Sequence, residues 1–353
     1  MDYFKPSELE NFTSQVLTEV GVEQDKAKIV AEALIKADLE GLGSHGISRL
    51  STYIARITDN RINNKPDIKI SELSPTALLV DGDNGLGHLV AYEGLQEGIK
   101  LAKKQGIAAV AINNSNHNGT SAYYCQLACE ENMMLMAGTN SPPGIAPWGG
   151  KDAFFGTNPI AFGFPYAKGQ SPVIVDMSTS TVARGKIILA DKQGEKIPDG
   201  WALDSEGNMT NDPKEALNGG TVLPLGGAKG AALALTIEIL TGVMTGAAIS
   251  PHVKNIYDTN LTGGANVGHF FLLMDMTPFE NGVGFQNKLD TLITLMKEVD
   301  LISENSPIRY PGERRQQEAA LRSKEGIPLS KTIQTELEQL GEKVGVSFKA
   351  YQY

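Results

Sequence analysis

"VDGDNGLGHLVAYEG", residues 80–94, decides what kind of α/β protein this chain forms. The β-rich run "TALLVDG" (76–82) leads into it, and "LVAYEGLQEGIKLAKKQG" (89–106) leaves it as a helix with Gly106 as its stop. Gly85 and Gly87 therefore stand between a strand and a helix, as they do in the dinucleotide-binding fingerprint. The rest of that fingerprint is missing. Val90 occupies the place of the third glycine, and the next strand runs into "AINNSNHNG" (111–119), which offers amides and a histidine but no carboxylate for a ribose. A tight structural turn is expected here, and a fold other than Rossmann.

On either side the hydrophobic period changes twice. Three helices are predicted before residue 60: Ser7–Val20, with Ser7 and Glu10 at capping-box spacing after Pro6, then Gln24–Leu39 ending at "GLG", then a third running to about Asp59. Strands begin near 68 with "DIKISEL" and continue with "IAAVAI" (107–112), "MMLMAG" (133–138), "PIAFGFP" (159–165), "PVIVDMS" (172–178) and "HFFLLMD" (269–275). Helices are predicted at 120–131, after Gly227, over 285–299, and near 312–323 and 330–343. Helix alternating with buried strand implies an α/β sheet covered on its faces.

Composition narrows the function. A net charge of −10 argues against a nucleic-acid surface, so an anionic ligand would need a local cluster of cations. The apolar run 230–249 is interrupted by Glu238 and by Thr and Gly, which predicts a buried helix and no membrane span. No secretory leader is expected, and the two cysteines, Cys125 and Cys129, read as reduced core residues of a cytoplasmic protein. His88, His252 and His269 share no ligand-like spacing with each other or with acidic clusters, so no catalytic metal is expected.

Several segments carry chemistry. In "GSHGISRLSTYIAR" (43–56), His45, Arg49 and Tyr53 recur every fourth residue. On a helix such positions lie about 40° apart in angle and roughly 6 Å apart along the axis, so an imidazole, a fixed cation and a phenol would form one stripe able to grip a small anion and move a proton. His117 sits in a loop at the carboxyl end of a strand, where open sheets bind ligands, and titrates in the range of a general acid or base. The long Gly-, Pro- and Asn-rich segment 138–165 is expected to be ordered and functional. In "VIVDMSTSTVARGKI" (173–187), Asp176 ends a strand and Ser178 to Ser180 could cap the next helix or hold phosphate and ribose oxygens. "LPLGGAKGAALAL" (223–235) brings Lys229 and helix N–H groups together as an anion site, but without Walker spacing. Arg314 and Arg315 read as a solvated face.

Seven motifs in order, "SHGISR", "NSNHNG", "PWGG", "GTNPIAFGFP", "DMSTS", "PLGGAKG" and "YPG", make nearly the whole chain resemble the malate/L-lactate dehydrogenase family, which also holds sulfolactate and ureidoglycolate dehydrogenases and diketogulonate reductase. The resemblance implies a sulfolactate/malate dehydrogenase-like α/β fold, with a mixed sheet, flanking helices and a helical N- and C-terminal subdomain. It implies an NAD-dependent oxidoreductase of small 2-hydroxy and 2-keto acids, NADP being possible, that acts as a homodimer or higher homo-oligomer. Residues 1–72 would form the helical subdomain with a substrate-gripping helix at 47–59, residues 73–300 the cofactor-binding core, and residues 301–353 helices packing back on the first unit.

Carried over motif by motif, Ser141, Asp176, Met177, Ser178, Lys229, Pro311, Gly312 and Glu313 would contact the cofactor, and Ser44, His45, Arg49, Tyr53 and His117 the substrate. Family members differ over which histidine is the acid/base. His117 is the first choice from its loop, with His45 orienting the same oxygen. "VARGKI" (182–187) and the hairpin region "IPDGWALDSEGN" (197–208) resemble the malate, lactate and sulfolactate branch. Two readings stand beside this one: ureidoglycolate dehydrogenase or an imine or keto-sugar-acid reductase of the same family, and a phosphate-binding transferase built on Gly226 to Gly230.

Overall fold

Alternation and close packing set the sheet. Apolar residues dominate 107–112, 133–138 and 267–274, so the three central strands carry few polar side chains in their buried runs, His269 among them. The computed structural model describes residues 2–167, 170–258, 260, 262–303 and 306–348. In chain order the elements are β1 (Asp2–Phe4), α1 (Pro6–Glu19), α2 (Gln24–Leu39), α3 (Leu50–Thr58), β2 (Lys69–Ser74), β3 (Ala77–Asp81), α4 (Gly87–Gln105), β4 (Ile107–Ser115), α5 (Ser121–Glu130), β5 (Met133–Thr139), β6 (Ile160–Phe164) and β7 (Val173–Met177). There follow α6 (Arg184–Gln193), β8 (Ala202–Leu203), β9 (Met209–Thr210), α7 (Pro213–Leu217), β10 (Thr221–Val222), α8 (Ala228–Glu238), β11 (Val267–Asp275), α9 (Thr277–Val283), α10 (Phe285–Lys297), α11 (Glu313–Glu325), β12 (Ile327–Leu329) and α12 (Lys331–Val344).

The main sheet has the order β2-β3-β4-β11-β5-β6-β7. Only β3 and β4 run parallel, joined by the crossover helix α4; every other pair is antiparallel, so the sheet is mixed. β5 turns Met133, Leu135 and Ala137 toward the layer of α4 and α5, and Gly138 toward Ile237 and Thr241 on the other face. The second layer lies close. A Cβ on Gly268 of β11 would sit 1.6 Å from the Thr241 carbonyl oxygen, in the π-helical turn Ile239–Val243 that follows α8.

The helical unit has its own core. Leu9, Phe12, Val16 and Leu17 of α1 pack with Val30 and Leu34 of α2, Tyr53 and Ile54 of α3, and Leu337 and Leu340 of α12. β1 pairs antiparallel with β12, Asp2 opposite Leu329 and Phe4 opposite Ile327, which ties the first residues to the last helices. Leu86 and Leu89 at the start of α4 enter the same cluster and join it to the sheet.

Most predicted elements lie within two residues of their expected bounds, and three local readings change. Pro6 takes the first helical position of α1 behind Lys5, because its fixed φ starts the helix there; Ser7 falls inside the first turn and caps nothing. β2 alternates but is exposed along its whole length, since it is the edge strand. The expected third helix divides into single 3-10 turns at Gly43–His45 and Ile47–Arg49 before α3 begins at Leu50. The hairpin expected at 197–208 is present as β8 and β9, with β10 added on its other side.

The glycines of the opening stretch are structural. Gly87 opens α4 where the backbone of the next strand's loop crosses it, and a Cβ there would lie 2.1 Å from the Asn116 carbonyl oxygen and 2.5 Å from that of His117. Gly87→Ala is therefore expected to lower stability by about 1–3 kcal/mol, the range of an overpacked core. Gly282→Ala, where no heavy atom lies within 4 Å, should leave the melting temperature unchanged or raised. Thermal unfolding of the two variants checks the contrast.

Candidate active site

Beyond the end of β4 the chain leaves the sheet in a loop held from several sides. The Asn116 side-chain amide donates to the Gly85 carbonyl at 2.8 Å and to Asn84 Oδ1 at 3.0 Å, while its oxygen accepts from Arg56. Asn84 and Asn114 adopt left-handed backbone (φ 56° and 48°), a conformation asparagine tolerates better than most residues. Asn114 N–H is fixed by the Asn266 side chain at 3.0 Å. The product of this bracing is His117, placed directly above the buried phenol of Tyr53.

Tyr53 Oη lies 2.7 Å from His117 Nδ1, and the Gly119 N–H approaches the same nitrogen at 3.4 Å. The other ring nitrogen makes no hydrogen bond among the described residues. His45 stacks on His117 with centroids 5.7 Å apart, and His88 meets both Tyr53 and His117 edge-on. His269 is fully buried behind Thr139, bonded to the Thr139 and Ser115 hydroxyls at 2.8 and 2.9 Å. Four of the five histidines thus gather at one place, and each discourages protonation of its neighbours. Burial first, then the neighbouring histidines and Arg49, holds His117 well below the ordinary imidazole value. Burial and Arg49 lower His45 as well, and burial pushes His88 and His269 each down to about 3. Burial keeps the Tyr53 phenol protonated.

Arg49 sits between His45 and Tyr257. Its Nε donates to the Ser44 carbonyl, its guanidinium lies 5.2 Å over the Tyr257 ring, and no carboxylate pairs with it among the described residues. The Ser44 hydroxyl is 2.9 Å from His45 Nδ1. The expected stripe therefore exists in space, although two 3-10 turns and α3 build it together.

His45, Arg49, His117 and Tyr257 line a cleft of about 780 Å³, whereas Tyr53 is buried behind His117 and neither it nor Ser44 is part of the wall. The predicted Ser141 forms part of its wall, with Thr139 from the end of β5 and Asn140 and Thr157 from the long segment between β5 and β6. Three further cations reach it: Arg184 and Lys192 from α6, and Lys254. Among the described residues, no aspartate or glutamate lines it.

The other expected cofactor residues lie together elsewhere. Asp176 on β7 accepts the Ala122 N–H at 3.0 Å and pairs with Arg315 at 3.4 Å, so Arg315 is engaged and is no solvated charge. Met177 is more than one third exposed. Ser178 and Ser180 bond each other, and α6 starts at Arg184 behind Ala183 with no side-chain cap; the expected Ser178–Ser180 cap is not made because the helix begins four residues later. Lys229 is exposed in the first turn of α8, on a turn stitched to the Ser178 segment by Leu225 N–H donating to the Thr179 carbonyl at 2.9 Å. Pro311 accepts from Ile174 of β7 at 3.0 Å, Gly312 needs its φ of 97° to start α11, and Glu313 is ion-paired with Lys297. Asp176 and Arg315 lie near enough to His45 to act on its charge, which links the two groups of residues.

Spacing in the sequence does not reveal His88, His269, Tyr257, Lys192 or Lys254, because only the sheet brings residues 88, 117 and 269 side by side. Among the described residues no three His, Cys, Asp or Glu side chains are placed to hold a metal ion, and no helix is long and apolar enough to cross a membrane. Both cysteines carry thiols without a disulfide.

The histidine cluster has a consequence for acid stability. His88 titrates at about 3 when folded and near 6.5 when unfolded, so unfolding takes up a proton at pH values between the two. Its contribution is complete above pH 6.5 and is lost as pH falls toward 3. His88→Phe, which keeps a ring against Tyr53, is expected to flatten the fall of melting temperature across that window relative to the unaltered chain.

Comparison with known proteins gives the family and the fold. The family model for malate/L-lactate dehydrogenase matches residues 4–338. The malate dehydrogenase of Pyrococcus abyssi is 40% identical over 346 residues, covering 96% of this chain and 94% of the relative. The (2R)-3-sulfolactate dehydrogenase (NADP(+)) of Chromohalobacter salexigens is 38% identical over 323 residues, covering 91% and 92%. The solved sulfolactate dehydrogenase of Methanocaldococcus jannaschii superposes with a TM-score of 0.89 at 36% identity, covering 98% of each chain. These likenesses displace the phosphate-binding transferase and bear out the sulfolactate/malate dehydrogenase-like fold. The chain belongs to the malate/L-lactate dehydrogenase family.

Proposed function

We propose that this protein is an NAD(P)-dependent dehydrogenase that interconverts a small 2-hydroxy acid and its 2-keto acid, of the malate or sulfolactate type. One observation carries the reading: in a chain of net charge −10, the cleft at His117 collects Arg49, Arg184, Lys192 and Lys254 and, among the described residues, no carboxylate. Such a wall suits an anionic substrate beside the phosphates of a dinucleotide. When bound, the nicotinamide gives or takes the hydride.

The chain's own residues supply the rest. Arg49 takes the substrate carboxylate through paired N–H donors, with Tyr257 steadying the guanidinium from one face. His117 gives its proton to the keto oxygen while C2 gains the hydride, and takes the hydroxyl proton back in the oxidation. Tyr53 fixes Nδ1 of that ring, so Nε2 is the nitrogen that meets the substrate. His45 polarises the same oxygen, held by Ser44.

Ser141 in the cleft, the Asp176–Ser178 and Pro311–Glu313 segments at β7, and Lys229 at the start of α8 are the cofactor contacts in this reading. Residues 1–72 and 301–353 would carry the grip and residues 73–300 the cofactor. The enzyme would work in the cytoplasm as a homodimer or larger homo-oligomer.

The first test is NADH and NADPH oxidation with oxaloacetate, sulfopyruvate and pyruvate. Turnover of one keto acid is expected, and Arg49→Lys should then raise its KM about tenfold or more, the worth of a charge-assisted hydrogen bond of ~1.5–3 kcal/mol. Neither turnover nor binding of either nucleotide would overturn the proposal.

A second test addresses the acid/base. His117→Ala should lower kcat by roughly 10² to 10⁴. Because burial and positive neighbours hold His117 low, kcat/KM for reduction should fall with rising pH through an inflection below 6.5. A mild loss at His117→Ala beside a severe one at His45→Ala would exchange the two roles.

A further inference from the structure

The two 3-10 turns that carry His45 and Arg49 meet at Gly46, and the residue beneath that joint is Asp38 of α2. Its side chain is buried, and Oδ2 accepts the Ile47 N–H at 2.6 Å, the first donor of the second turn. Gly46 lies so close that a Cβ would fall 2.1 Å from the Asp38 Cγ and 2.1–2.2 Å from both carboxylate oxygens. The backbone of Gly46 has φ −93°, which other residues also adopt, so glycine is required here for space. Arg322 of α11 donates to the Asp38 carbonyl at 2.7 Å and holds this end of α2 from the far side.

We infer that Asp38 is a positioning residue for the reaction, setting the distance and angle between His45 and Arg49 by seating its carboxylate under the Gly46 joint. This rests on the proposed keto-acid reading of the same cleft. The carboxylate touches neither substrate nor cofactor. It acts through the Ile47 N–H, which orients the turn containing Arg49, and through contact with Gly46, which fixes where the turn containing His45 stops. Burial raises the Asp38 carboxyl to about 7, against the pull of the Ile47 hydrogen bond and Arg322. A buried carboxylate contributes little to stability by itself, so an apolar replacement need not unfold the chain. Misplacing a binding group by about 1 Å can cost ~10²-fold in rate, so the effect should appear in substrate handling.

The test is a double-mutant cycle on Gly46→Ala and Asp38→Ala, reading KM and kcat for the keto acid, NADH binding and the melting temperature. Gly46→Ala alone should raise KM and lower kcat/KM by about tenfold to 10²-fold, with NADH affinity within about twofold of the unaltered enzyme. Asp38→Ala should also raise KM, and Asp38→Asn, which keeps an acceptor oxygen, should recover most of it. In the Asp38→Ala background Gly46→Ala should cost far less, because the space it needs has been vacated. Additive losses, a Gly46→Ala enzyme with unaltered KM, or an Asp38→Ala enzyme that only melts earlier would each overturn the inference. If Asp38→Ala is not recovered folded, Gly46→Ala decides alone, raised KM with intact NADH binding supporting the assignment and unaltered KM ending it. An unaltered enzyme that turns over no keto acid would instead count against the function proposed above.

Discussion

The hydrogen bond between Tyr53 and His117 joins the two halves of the molecule. Tyr53 belongs to the helical core of α1, α2, α3 and α12, whereas His117 belongs to a loop at the end of a central strand. Neither side chain could be placed by its own unit alone. The 2.7 Å contact requires α3 to lie against the strand end, and Leu86 and Leu89 of α4 secure that approach by entering the helical core. The cleft follows from this docking, since Arg49 and His45 precede Tyr53 on the same segment and must reach the same opening.

Around that contact the chain spends stability on geometry. Two asparagines hold left-handed backbone, His88 is buried with neither ring nitrogen hydrogen-bonded among the described residues, and Asp38 keeps a carboxylate out of water. These departures lie at or next to the His117 and His45 segments, beside the largely apolar cluster under α4 and α5. Sites that hold reactive groups in fixed relation commonly show this contrast.

Much of this was legible in the residues, for reasons that can be named. The strands and helices of the sheet read clearly because their period is local, and the failed fingerprint at Val90 ruled out the commonest dinucleotide fold. Gly85 and Gly87 were read as a turn, and the physical cause, the passage of the Asn116 and His117 backbone over α4, needed the structure. His45, Arg49 and Tyr53 were found by their spacing even though the helix assumed for them is broken at Gly46. They still meet because the joint at Gly46 turns His45 onto the His117 ring while α3 brings Tyr53 to the same ring. His88, His269 and Lys254 carried no signal, since distant strands and loops bring them together. Asp38 stands in the last turn of α2, and nothing local in the sequence marks a carboxylate that caps a turn nine residues on.

The pairing of β1 with β12 bears on how the protein is made. Asp2 faces Leu329 and Phe4 faces Ile327, and the same apolar cluster needs Leu337 and Leu340 from α12. Helices α1–α3 must therefore wait, with part of their apolar face uncovered, until β12 and α12 have been synthesised. At roughly 5–20 residues per second this is a long exposure for a surface that the sheet does not cover. The helical unit carrying His45 and Arg49 is thus among the last parts to close, and the nascent protein would acquire its sheet well before its grip on a substrate.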